Sequence, residues 1–126
     1  MTTPEFEGVN DVRLVGRLGQ QVAIRELPSG DEIITFTVVV PREGRRRENG
    51  PRVDSIACQT MRAAVRSKVE AWEPGTWVDL QGAIRRRFWK GGNGLASATE
   101  IDVRSISRVR ESTGVNSPLR SARLGR

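Results

Sequence analysis

The chain has 126 residues, with 21 lysines and arginines against 15 aspartates and glutamates, a formal charge of +6. That length suits one domain with a single small core. Histidine is absent, which removes the commonest general base and metal ligand, and the single cysteine, Cys58, excludes an intrachain disulfide and a thiolate zinc site.

Residues 1–8 read as a loose, acidic leader without an apolar run, so no secretory signal is expected. No stretch reaches membrane-spanning length, and a cytoplasmic, nucleoid-associated protein is the expectation. Val9–Leu18 reads as a strand, with Val12 and Leu14 on one face and Asp11 and Arg13 on the other. Gly16 and Gly19 bracket a point where the chain can bend. Val22–Leu27 continues in extended form, and Pro28-Ser29-Gly30 signals a turn. Ile33–Val40 is the clearest strand, with Ile34, Phe36, Val38 and Val40 on a core face and Thr35 and Thr37 opposed.

Pro41 ends that strand. Residues 42–52 form a loop with five arginines: Arg42, Arg45, Arg46, Arg47 and Arg52. It reads either as a solvated charged loop or as a basic flap closing over a nucleic-acid strand. Val53–Gln59 is a strand with Ile56 and Cys58 on one face and Val53, Ser55, Ala57 and Gln59 on the other. Cys58 reads as a small core residue. The period then changes: Met61, Ala64, Val65, Lys68, Val69 and Trp72 recur at helical spacing, with Thr60 as the expected N-cap and Pro74-Gly75 as the stop. Trp72 belongs to the buried helix face, and Trp77 opens the next strand.

That strand leads into Ile84–Gly94, which packs four cations, two aromatics and three glycines into eleven residues without an acid. Gly91-Gly92-Asn93-Gly94 supplies the backbone freedom of a hairpin turn, and Leu95, Thr99, Ile101 and Val103 form the returning arm. Alternation puts Arg85, Arg87 and Trp89 on one face and Val78, Leu80 and Ile84 on the other, toward the core. Cations neutralise phosphates, and flat rings stack on unpaired bases, so Arg85, Arg87, Phe88, Trp89 and Lys90 are candidate nucleic-acid contacts. A solvated basic hairpin is the other reading. The last strand runs to about Val109, and residues 111–126 read as a disordered basic tail. Five strands with one helix between the third and fourth describe an all-β OB-fold, a Greek-key barrel over residues 9–110.

The order and wording resemble the bacterial single-stranded DNA-binding protein family. The residues that carry this are Asn10-Asp-Val-Arg-Leu-Val-Gly-Arg-Leu-Gly-Gln20, Pro28-Ser-Gly30, Phe36-Thr-Val38, Gly75-Thr-Trp-Val-Asp-Leu-Gln-Gly82 and Arg85–Trp89. The resemblance implies non-enzymatic binding of single-stranded DNA in replication, recombination or repair, by a homotetramer and without a cofactor. Trp89 falls where the family has a stacking tryptophan. Three further family aromatics fall on Gly44, Val53 and Gln59, which keeps Val53 and Gln59 on the expected DNA-binding surface without their rings. Arginines 45, 46, 47 and 52 are then expected to supply charge and guanidinium stacking instead. Family members usually end in an acidic tip that recruits partner proteins, whereas residues 118–126 here are basic, pointing to a specialised paralogue. The alternative is an OB-fold protein-interaction module of the primosome-accessory kind with weak nucleic-acid binding. An enzyme using Asp54, Asp79, Glu100 and Asp102 to hold magnesium ranks third, since scattered strand carboxylates usually face solvent.

Overall fold

A computed structural model describes residues 5–43, 50 and 52–110. Five strands and one helix follow one another as β1 (Val12–Glu26), β2 (Glu32–Pro41), β3 (Val53–Thr60), α1 (Ala63–Ala71), β4 (Trp77–Gly91) and β5 (Gly94–Arg108). The strands close into a barrel in the order β1-β2-β3-β5-β4. Neighbours are antiparallel except β3 and β5, which run parallel through Cys58↔Ile101 and Gln59↔Asp102. With its helix between β3 and β4, this is the OB-fold.

Alternation puts one face of each strand inside. Ile34, Phe36 and Val38 of β2 are buried, as are Val78 and Leu80 of β4 and Ile101, Val103 and Ile106 of β5. Val65 and Val69, one helical turn apart, bring the apolar stripe of α1 onto this core, and Trp72 packs against it partly buried. Lys68 Nζ donates to the Ile106 carbonyl at 3.1 Å, which ties the helix to β5. Among the described residues, no helix is long and apolar enough to cross a membrane.

Three details depart from the sequence reading. Thr60 is not the helix N-cap. It ends β3, fully buried, and its hydroxyl donates to the Val103 carbonyl at 3.0 Å while accepting the Arg62 N–H. Arg62 takes the cap position without a side-chain bond. Val9 precedes β1 and is exposed, and the two extended stretches after it form one strand whose register slips between Leu18 and Val22.

Ile84 is the third departure: it is 45% exposed rather than core-facing. The reason is where the barrel ends. β1 pairs with β4 only from Arg17↔Trp77 to Val12↔Gly82, whereas β4 and β5 stay paired out to Gly91↔Gly94. Beyond Gly82, β4 keeps only β5 as a strand neighbour; Ala83 is still buried, and exposure begins at Ile84, from which the two strands run out as a hairpin. At the exit, the Asn10 side chain takes the place of a strand neighbour. Its Nδ2 donates to the Ile84 carbonyl and its Oδ1 accepts the Ile84 N–H, both at 2.8 Å. The register also shifts here, with Gln81 opposite Ser105 and Gly82 opposite Val103, so Arg104 is the extra residue of a β-bulge. That bulge lets Val103 and Ile106 both point inward although they are three residues apart.

Candidate nucleic-acid interface

The hairpin turn is as tight as the glycines suggest. Gly91 pairs with Gly94, leaving Gly92-Asn93 as the two-residue loop, and Gly94 sits at φ 118°, a conformation that favours glycine. No register shift interrupts the arms beyond Gly82, so side chains alternate cleanly along them.

Arg85, Arg87 and Trp89 share one face, as expected from the sequence. The Arg87 guanidinium carbon lies 4.5 Å from the centre of the Trp89 ring, within cation–π range. Trp89 itself is 41% exposed. Neither arginine is a bare charge. Arg87 Nε donates to Glu100 Oε1 at 3.2 Å, and Arg85 faces Asp102 at 3.7 Å. Glu100 is buried, against the expectation of a solvent-facing carboxylate, because the groove side of β5 packs toward the barrel and Arg87 covers it. Asp54 and Asp79 are likewise paired, with Arg42 and Arg13. Each of the four strand carboxylates thus meets its own arginine. They do not converge, and among the described residues no three metal-ligating side chains gather.

The groove beside this hairpin face is a concavity of about 320 Å³. Ala23 and Arg25 of β1, Thr35 and Thr37 of β2 and Ala57 of β3 line it, with Arg87 and Glu100 at one side. Alternation puts Val53 and Gln59 on the same side of β3 as Ala57. Val53 is exposed and pairs with Pro41, and Gln59 is half-buried and pairs with Thr35. Val53 and Gln59 thus lie on the groove side of β3, with small and polar side chains around them. Arg52 is exposed just before Val53, and its carbonyl accepts the Arg42 N–H at 2.9 Å. Arg45, Arg46, Arg47, Gly44 and the tail 111–126 lie outside the described residues.

Phe88 and Lys90 stand on the opposite face of the hairpin from Trp89, with Arg86, and are exposed. Sequence reasoning passed over Arg86 and Arg25. Arg86 follows from strict alternation around Phe88. Arg25 enters the groove through the pairing of Ala23 with Thr35, a register that the slip after Leu18 hides. Cys58 is confirmed as a core residue. It has no exposed surface, and burial, with a smaller contribution from the Glu100 charge, pushes its thiol up to about 12. A thiol so held stays protonated at neutral pH and is no nucleophile.

Single-stranded DNA-binding protein 3 of Listeria innocua is 28% identical over 99 residues, 78% of this chain and 62% of that protein. Single-stranded DNA-binding protein A of Bacillus subtilis is 26% identical over 107 residues, 84% of this chain and 62% of its own length. The chain spans less than two thirds of these relatives. A Plasmodium falciparum SSB solved in complex with ssDNA superposes with a TM-score of 0.69 at 20% identity, covering 85% of this chain and 100% of that one, a likeness of fold. The sequence model of the single-strand binding protein family matches residues 9–109, which takes in every strand of the barrel and the whole hairpin. The chain belongs to the single-strand binding protein family.

Proposed function

We propose that residues 9–110 form a domain that binds single-stranded DNA without chemistry, along the groove bounded by β1, β2, β3 and the β4–β5 hairpin. The observation that carries this reading is Trp89. Its ring is exposed at the groove side of a hairpin and stacked on Arg87, a surface for one unpaired base. Arg25, Arg52, Arg85 and Arg87 line or flank the path; Arg25 and Arg52 are its phosphate contacts, Arg85 and Arg87 stay paired with Asp102 and Glu100, and Arg45, Arg46 and Arg47 are assigned on charge alone. Thr35, Thr37, Val53 and Gln59 form the floor over which the strand runs. Membership of the family and the names of the relatives support this substrate. A homotetramer acting in replication, recombination or repair, in the cytoplasm at the nucleoid, goes with the same reading.

A second reading, a protein-interaction module with weak nucleic-acid binding, draws on the ringless floor at Val53 and Gln59. Titration separates the two. Single-stranded and duplex oligonucleotides of matched length, followed by tryptophan fluorescence at physiological salt, should show clear preference for the single strand, because a duplex hides its base faces. Trp89→Ala should weaken that binding by about 1–3 kcal/mol, the range for one base–aromatic stack. Equal affinity for both forms refutes the groove reading. Undetectable binding leaves the protein-interaction module.

A further inference from the structure

The two faces of the hairpin differ in charge. On the groove face, Arg85 and Arg87 reach diagonally across to Asp102 and Glu100, so two cations meet two carboxylates. The outward face carries Arg86, Phe88 and Lys90 of β4, paired across to Thr99, Ser97 and Leu95 of β5. No acidic residue occurs between Ile84 and Thr99, so none stands among these six. Phe88 is 56% exposed and Leu95 76%. Arg86 is already ordered there: its Nη2 donates to Ser97 Oγ at 2.9 Å, and its guanidinium carbon lies 5.4 Å from the Phe88 ring centre. An exposed ring backed by a held guanidinium, with a second cation two residues along, repeats the Arg87–Trp89 arrangement without its carboxylates.

We propose that this outward face is a second contact track for single-stranded nucleic acid. Phe88 stacks a base, and Arg86 and Lys90 take the flanking phosphates. The inference rests on the groove reading and extends it: one strand passes from the groove face over the hairpin to its outer side. Charge selects this occupant. Among the described residues, Arg86 and Lys90 have no counter-charge beside them, and a polyanion supplies one. A second copy of the chain meeting this patch across a two-fold axis would set the same uncompensated cations against one another.

The test uses the full chain and an oligothymidylate of about 20 nucleotides, longer than the roughly 4–16 nucleotides one OB-fold covers. Arg86→Ala with Lys90→Ala should flatten the log–log salt dependence of binding by about 1.4, at about 0.7 per phosphate contact. Phe88→Ala should weaken binding by about 5- to 150-fold, and Phe88→Tyr should restore it where Phe88→Leu does not. All these variants should keep the wild-type tryptophan quenching at saturation, because Trp89 lies on the other face. Trp89→Phe should remove most of that quenching. Loss of Trp89 quenching together with wild-type affinity and slope in every outward-face variant overturns the second track and leaves the groove reading intact. Unchanged quenching in Trp89→Phe strikes the groove reading instead. A change of oligomeric state in Phe88→Ala, seen by light scattering, assigns the patch to contact between copies and also overturns the proposal.

Discussion

Cys58 titrates in a range where this chain has few other groups. There is no tyrosine, there are two lysines, and the arginines stay charged. The unfolded thiol gives up its proton near its ordinary value of 9.0, whereas the folded one holds it to about 12. Between those values the unfolded chain binds fewer protons than the folded one. Stability from this group is therefore fully present below about pH 9 and is lost as pH rises toward 12, by at most about 1.4 kcal/mol per pH unit. Urea unfolding at a series of alkaline pH values should show that decline, and Cys58→Ala should lose most of the slope even though its stability is lower throughout. An unaltered slope in the variant would place the alkaline weakness in another group. Glu100 acts on both residues, since its charge adds to the Cys58 shift and its oxygen holds Arg87 against Trp89.

The hairpin is an element with a defined root, and Gly82 is that root. It is the last residue of β4 paired to β1, and it sits opposite the bulge at Arg104. A Cβ at Gly82 would meet the Asp102 carbonyl oxygen and the Val103 Cα, backbone atoms of a paired strand that have little room to yield. Gly82→Ala should cost about 1–3 kcal/mol, the range for overpacking a filled interior. Gly92→Ala in the turn, where an added Cβ meets nothing within 4 Å, should stay within about 0.5 kcal/mol. Urea midpoints check both, and a Gly82→Ala protein as stable as wild type would remove the close approach from the account. The same root explains what the sequence could and could not reveal. Alternation identifies Ile34, Phe36, Val38, Val78 and Leu80 as core because each lies where strands flank it on both sides. It fails at Ile84 because periodicity carries no mark of where the barrel ends. Thr60 looks like a cap because a threonine before a helical pattern usually is one, and its true partner, the Val103 carbonyl, lies 43 residues away. The order of elements, the shared face of Arg85, Arg87 and Trp89, and the basic hairpin itself were legible locally. The pairing of those arginines with Asp102 and Glu100 was not, since it depends on a cross-strand register.

Across the whole molecule, the formal charge of +6 understates how unevenly the cations are engaged. Arg13, Arg42, Arg66, Arg85, Arg87 and Arg104 each lie within 3.7 Å of a carboxylate. Such pairs at a surface contribute little to stability, but they screen an arginine from a passing phosphate. Arg25 in the groove, Arg52 beside β3, and Arg86 and Lys90 on the outward face of the hairpin have no carboxylate partner among the described residues. Of the cations that lack a partner, these four lie in the groove, beside β3 or on the hairpin, and if phosphates seek such cations along that path, these four set the salt dependence. Four contacts at about 0.7 each give a slope of log affinity against log salt of about −3 for a single strand. Substituting Arg25 should flatten the slope by about 0.7, whereas substituting Arg13, held by Asp79 at 2.7 Å, should leave it unchanged. Fluorescence titrations at several salt concentrations with Arg25→Ala and Arg13→Ala measure the difference directly. A wild-type slope shallower than about −1, or an Arg13→Ala effect as large as that of Arg25→Ala, would mean that ion pairing on this surface does not decide which arginines meet the strand.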